Sequence, residues 1–216
     1  VEAEFSGQMM GGSASLLNVK ALGENTADAS VAVANISVGA GVNGARAIAE
    51  VSSDADVEAR VGSAGSIATT GAVLVDARLQ GMENKATATA LGLAGGAFGG
   101  VSVMLADAKV GGGVYAALDG EVSTALQVTV EANGGNWAEA HTVAASLGGA
   151  IGGSLTGAAA NITADADVEA TVGSTASITT DGALLVKATG ENDAITDSDA
   201  GSAAGLVGIS GSSLQA

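Results

Sequence analysis

The side chains best suited to chemistry lie in two short acidic runs. Asp54, Asp56 and Glu58 alternate along one stretch, and Asp165, Asp167 and Glu169 alternate along another. In an extended strand, alternate residues share a face about 6.6 Å apart. Each run therefore offers two carboxylates near a hard cation such as Ca²⁺, well short of the six to eight oxygens that ion takes. Glu2 and Glu4 form a weaker version near the start of the chain. The glycine-rich nonapeptide calcium pattern, G-G-x-G-x-D, does not occur. The six carboxylates stand as calcium candidates beside a plainer reading: a solvated acidic stripe that keeps sheet edges from sticking.

Other chemistries find less support. The chain has no Cys and one histidine, His141, so thiolate or His-rich metal sites are excluded. With 23 acids against 7 bases, the net charge of −16 argues against nucleic acid, whose phosphates need Lys and Arg. Asp197 and Asp199 could form a glycosidase pair only beside an aromatic platform. The chain offers just Phe5, Phe98, Tyr115 and Trp137. Gly39, Gly41 and Gly44 match the dinucleotide fingerprint G-x-G-x-x-G, but no amphipathic helix follows them. Thr87 and Thr89 would share a face, as an ice-binding ladder requires, yet other parts of the chain do not keep Thr there. His141 and Trp137 read as a local surface feature. The sequons at Asn35 and Asn161 read as chance. No enzyme and no resident cofactor are expected.

The elements that carry these residues follow from a repeat. Residues 53–77 and 164–188 are closely similar, and VKALGEN at 19–25 returns as VKATGEN at 186–192. An alternating apolar triplet sets the register. It is Leu17, Val19, Ala21; Val73, Val75, Ala77; Val128, Val130, Ala132; and Leu184, Val186, Ala188. Its last members are 56, 55 and 56 residues apart. An asparagine follows each: Asn25, Asn84, Asn136 and Asn192. The chain divides into four units of about 56 residues, at 1–56, 57–113, 114–167 and 168–216, within a single segment.

Within each unit the hydrophobic period is two, which specifies strands. Glycine-containing turns separate them, as at Val61-Gly62-Ser63, Thr70-Gly71 and Gly190-Glu191-Asn192. Repetition of this kind predicts an all-β fold, an elongated parallel β-solenoid. There each strand stacks on its equivalent about 4.8 Å away, and like residues form ladders. Stacked asparagines would hydrogen-bond along such a ladder. A unit this long predicts two or three coils per repeat, which would put the two acidic runs about 19–29 Å apart. The uncharged window 86–106 is as long as a membrane span but weakly hydrophobic. It reads as buried small-residue strands, with no membrane insertion.

The run VEATVGSTASITTDGALLVKATGEN resembles the repeats of giant bacterial surface and secreted adhesins of the filamentous-haemagglutinin type. The pattern is met at Val61–Ala77 and Val172–Ala188 and is degenerate at Val114–Ala132. The resemblance implies a parallel β-helix shaft, export to the cell surface and a role in adhesion, and it carries over no catalytic residue. The function expected is a structural shaft segment of an extracellular adhesin or surface fibre. Its partners would be neighbouring repeats or identical subunits stacked end to end. A self-assembling filament subunit is the alternative, followed by an ice- or calcium-binding solenoid. The segment is expected to be cut from a longer array.

Overall fold

The computed structural model describes residues 1–12, 14–69 and 71–216. Thr70, within one of the expected turns, lies outside them. The first coil runs through β1 (Glu2–Phe5), β2 (Gln8–Gly12), β3 (Leu16–Gly23), β4 (Thr26–Ser37) and β5 (Ala40–Val51). The second runs through β6 (Val57–Val61), β7 (Ser66–Thr69), β8 (Ala72–Leu79), β9 (Asn84–Gly96) and β10 (Gly99–Val110). The third comprises β11 (Val114–Leu118), β12 (Glu121–Thr124), β13 (Gln127–Asn133), β14 (Asn136–Gly148) and β15 (Ile151–Ile162). The last comprises β16 (Val168–Val172), β17 (Ser177–Ile178), β18 (Leu184–Thr189), β19 (Asn192–Ala204) and β20 (Val207–Gln215). No helix occurs among the described residues.

Equivalent strands of successive coils pair in parallel, giving five sheets of four strands each. The fold is a parallel β-solenoid. The apolar triplets stack in the expected register, with Val75 between Val19 and Val130, and Val130 against Val186.

The coil count per repeat differs from expectation: each unit is one coil, not two or three. The reason lies in β4 and its equivalents and β5 and its equivalents. These small-residue stretches stay extended for 12 or 13 residues in the first three coils, so one turn absorbs a whole repeat. Each repeat therefore adds about 4.8 Å along the axis.

A coil has two lobes. The three short strands enclose a three-sided body packed with Val57, Val61, Ile67, Val73, Val75, Leu118, Val128 and Val130. The two long strands form a flat, two-sheet fin. Its interior is mostly alanine, including Ala86, Ala88, Ala106, Ala138 and Ala160. The sheets approach so closely that a Cβ at Gly92 would strike Met104 and Ser102 of the facing strand. At the fin tip the chain reverses tightly, and a Cβ at Gly148 would collide with the Ile151 carbonyl.

The asparagine ladder sits at the waist between the lobes. Asn25 Nδ2 donates to Asn84 Oδ1 at 2.8 Å, Asn84 to Asn136 at 3.0 Å, and Asn136 to Asn192 at 2.8 Å. Each of the first three also donates across the waist to the chain returning from the fin, at the carbonyls of Ala55, Gly112 and Ala166. The ladder survives an insertion. Asn84 follows its triplet by seven residues where the others follow by four, and Met82 absorbs the excess with a left-handed φ of 66°.

Candidate functional site

The acidic runs do not lie on one strand face as the alternation suggests. Asp54 sits in a turn, where its N–H donates to Ser52 Oγ, and Asp56 lies in the connection after it. Only Glu58 is within a strand, β6. Asp165, Asp167 and Glu169 repeat this arrangement ahead of and within β16. Backbone geometry explains the difference: the chain must turn from the fin into the body here, and alternation continues through the turn without extended structure. Asp56 Oδ1 accepts from the Gly113 N–H of the next coil at 2.8 Å, a structural hydrogen bond.

Because each repeat is one coil, the two acidic runs are two strand spacings apart, about 10 Å, rather than 19–29 Å. Between them stands Tyr115, stacked on Glu58 below and Glu169 above. Its hydroxyl donates to the Asp165 carbonyl at 3.0 Å. Burial raises the Tyr115 pKa, and the nearby carboxylates of Asp56, Asp167, Asp165 and Glu169 raise it further. An aromatic ring thus occupies the space in which the two runs would have to meet. Among the described residues no three carboxylate or imidazole groups gather at metal-holding distances.

Glu2 and Glu4 take part in a cation-centred cluster instead. Arg60 lies 2.9 Å from Glu4, 3.4 Å from Glu2 and 3.8 Å from Glu58. The Glu4 hydrogen bond and charge, then Glu58, raise the Arg60 pKa. Sequence reasoning missed a second charged column, Lys20, Asp76, Glu131 and Lys187, which the register stacks on the outer face of the body. Asp76 is buried there, held by Arg78 at 2.7 Å and Lys20 at 3.9 Å. Equal offsets from the apolar triplets were the signal that locates this column.

The remaining candidates are spread over the fin base. His141 Nδ1 lies 3.2 Å from Asp197 on the neighbouring strand. Lys85 stands 5.7 Å above the Trp137 ring, and Trp137 Nε1 donates to Glu139. Thr87 and Thr89 face outward beside Asp28 and Ser30 on one side and Glu139 and His141 on the other, so no threonine ladder forms. Gly41 and Gly44 lie within β5, a strand rather than a phosphate-binding turn and helix.

A groove on the fin has a different character. About 580 Å³ in volume, it lies on the outer fin surface and is lined by Ile36, Leu93, Gly95, Leu147 and Ala203, among others, with no titratable side chain. Its chemistry is apolar contact, not proton or group transfer. No family model, curated protein or solved structure matches the chain.

Proposed function

We propose that the chain is a structural segment of an extracellular bacterial adhesin or surface fibre, a stiff scaffold that performs no catalysis. The observation that carries this reading is the parallel coil-to-coil stacking of all five sheets, in continuous register in every sheet except that of β2, β7, β12 and β17, with the asparagine ladder beside them. What the sequence repeats is a strand-on-strand stack, and a stack of this kind converts chain length into distance. Fusing one, two and three copies of the segment in tandem tests the reading. Solution scattering should show one dimension growing by about 19 Å per four coils while the cross-section stays constant. Compact particles with no linear increment would sink it.

A second reading, end-to-end assembly of separate copies, has its own support. The ladder is directional: each side-chain amide donates toward the later coil. A copy stacked on the last coil would present its Asn25 Oδ1 to the Asn192 amide. Val186 stacks on Val130 in the interior phase, so a further coil would continue the same apolar ladder over it. Fibres of the isolated segment that disappear in Val186→Asp would support this reading. Fibres indifferent to that change would count against it.

A further inference from the structure

The outer half of the fin has inverted polarity. Between its sheets lie Ser102, Thr142, Ser146, Ser154 and Asn43, all buried. On its outside stand Leu91, Leu93, Leu147, Val101, Ile151 and Leu155, all exposed. A sheet packed on its own core shows the reverse alternation. The window 86–106, expected to be buried, thus places Leu91, Leu93, Ala97, Phe98, Val101 and Leu105 in the open. The tip continues the pattern, with Val38 89 %, Phe98 74 % and Leu206 82 % exposed. Charge is withheld from the same region, since residues 31–45, 86–106, 142–164 and 200–216 contain none. Of the first three outward positions from the tip on either sheet, only Asp199 on the last coil is charged.

The outward side chains also form a relief. Along the axis, the row nearest the tip on one face reads Ile36, Gly95, Leu147, Ala203. The next row reads Ala34, Leu93, Ala145, Gly201. Bulky and small residues alternate in both directions, and Gly95 is the floor of the groove. On the opposite face the rows read Val42, Val101, Gly153, Ile209 and Gly44, Val103, Leu155, Gly211, so Gly153 is a single pit between Val101 and Ile209. The first face, with knobs and pits one strand spacing apart, is complementary to itself when shifted by one coil.

We infer that the fin is a lateral contact surface for a second copy of this chain, fin face against fin face, so that neighbouring solenoids associate side by side. This goes beyond the scaffold reading, which concerns growth along the axis. Charge and area both select this occupant. Two copies carrying −16 each can approach only where the charge is absent, which is the fin. A lipid surface is disfavoured because Asp28, Glu139 and Asp197 border the apolar zone on one face and the Arg46–Asp107 pair borders it on the other, and these charges would lose their hydration against a membrane. Three rows across four strands give roughly 350 Å² per face, too little for a stable pair at about 800 Å² per partner. Each face carries such rows, so a fin is held between two neighbours, and many small contacts join the solenoids into a layer rather than one contact joining a dimer.

Sedimentation velocity from low to high micromolar concentration tests this, with circular dichroism to verify the fold of each variant. The unaltered chain should grow in mass with concentration. The double variant Leu93→Asp, Leu147→Asp should associate about tenfold or more weakly, because it buries charge at the contact. Gly95→Leu is the sharper variant. A Cβ there would lie 3.7 Å and 3.8 Å from the Ile36 side chain and 4.0 Å from the Leu147 carbonyl oxygen, ordinary van der Waals contacts, so the fold accepts it. It makes the face more apolar while filling the pit. Weaker association of Gly95→Leu supports interlocking faces, and stronger association shows general stickiness and overturns the inference. A constant monomer mass overturns it as well. So does association that persists in the double variant but is lost in Val186→Asp, which would place the contact at the solenoid ends. Flotation of the unaltered chain, but not the double variant, with phosphatidylcholine vesicles would identify lipid as the occupant and likewise overturn it. None of these failures alters the axial increment per coil on which the scaffold reading rests.

Discussion

The body and the fin are built from the same chain by the same register, yet they hold together differently. The body is three-sided and encloses enough space for Ile67, Leu118 and six or more valines, all fully buried. The fin is two sheets pressed close, so its interior is mostly alanine, serine and threonine, with Met104 at the position facing Gly92 and valines such as Val51 and Val110 at the ends of β5 and β10. Apolar burial per residue is therefore greater in the body, and burial is the main favourable term in folding. The fin gains more from its long ladders of backbone hydrogen bonds and from its attachment to the body. Its larger apolar side chains are directed outward instead. The body works as the stabilising half and the fin as the surface-bearing half.

Core truncation gives the largest expected contrast. Ile67→Ala in the body removes a fully buried side chain from the three-sided core and should cost about 2–5 kcal/mol, read as a lowered denaturant midpoint. Leu93→Ala on the outer fin should stay within about 0.5 kcal/mol in dilute solution, where no neighbour covers it. Equal losses from the two changes would break the distinction between the lobes.

The waist comes next. Asn84→Ala removes one rung of the ladder and the cross-waist bond to the Gly112 carbonyl at 2.6 Å, and leaves buried partners unmatched. A cost of about 2–3 kcal/mol is expected, with loss of amide exchange protection spreading into both lobes. Protection lost in the fin alone would show that the ladder supports one lobe rather than joining two.

Much of this architecture was legible in the sequence. The triplets at Leu17, Val73, Val128 and Leu184 and the asparagines at 25, 84, 136 and 192 gave strand register directly, because stacked like residues are the cause of the repetition. The number of coils per repeat was not legible. Whether a Gly/Ala stretch turns or runs on for 12 residues depends on what it packs against, and local composition is silent on that. The acidic runs misled for a related reason. Asp54 and Asp56 alternate as a strand would, but the chain turns there because Gly112 and Gly113 of the next coil pack against that corner. The fin's outward leucines were hidden by their neighbours: among so many small residues, Leu91 and Leu93 read as core. Only the phase relative to Ala88 and Ala90, which are buried, reveals that they point away.

Overpacking probes the same asymmetry from the other side. Ala140→Leu enlarges a fully buried residue between fin sheets that are already too close for a Cβ at Gly92. A cost of about 1–3 kcal/mol is expected. The matching enlargement in the body, Val130→Leu, should cost less, because larger side chains already line that lobe. A fin that accepts Ala140→Leu freely would mean its sheets can separate, and the narrow-fin explanation for the outward leucines would fail.

The smallest expected effect depends on pH and lies at the body. Tyr115 has its pKa raised, chiefly by burial and then by Asp56, Asp167, Asp165 and Glu169. A group whose folded pKa exceeds its unfolded value contributes stability below the unfolded value and loses it as pH rises through the folded one. Above about pH 10 the unfolded chain therefore ionises Tyr115 more readily than the folded chain, and stability falls. Arg60, raised by Glu4, and Lys109, raised by its hydrogen bond to Glu50, titrate with the same sign at higher pH. Tyr115→Phe should cost about 1 kcal/mol at neutral pH through the lost hydrogen bond to the Asp165 carbonyl. That deficit should shrink as pH rises past about 10, since the variant has no phenol to ionise. Urea midpoints at pH 7 and pH 11 for the two proteins measure the convergence. Amide exchange at the higher pH locates it, with protection falling first in β6, β11 and β16, where Arg60 and Tyr115 lie, before the outer halves of β9 and β14. Parallel pH curves for the two proteins would show that neither burial nor the surrounding carboxylates shift Tyr115 in the folded chain. The corner between fin and body would then be held by packing and backbone bonds alone.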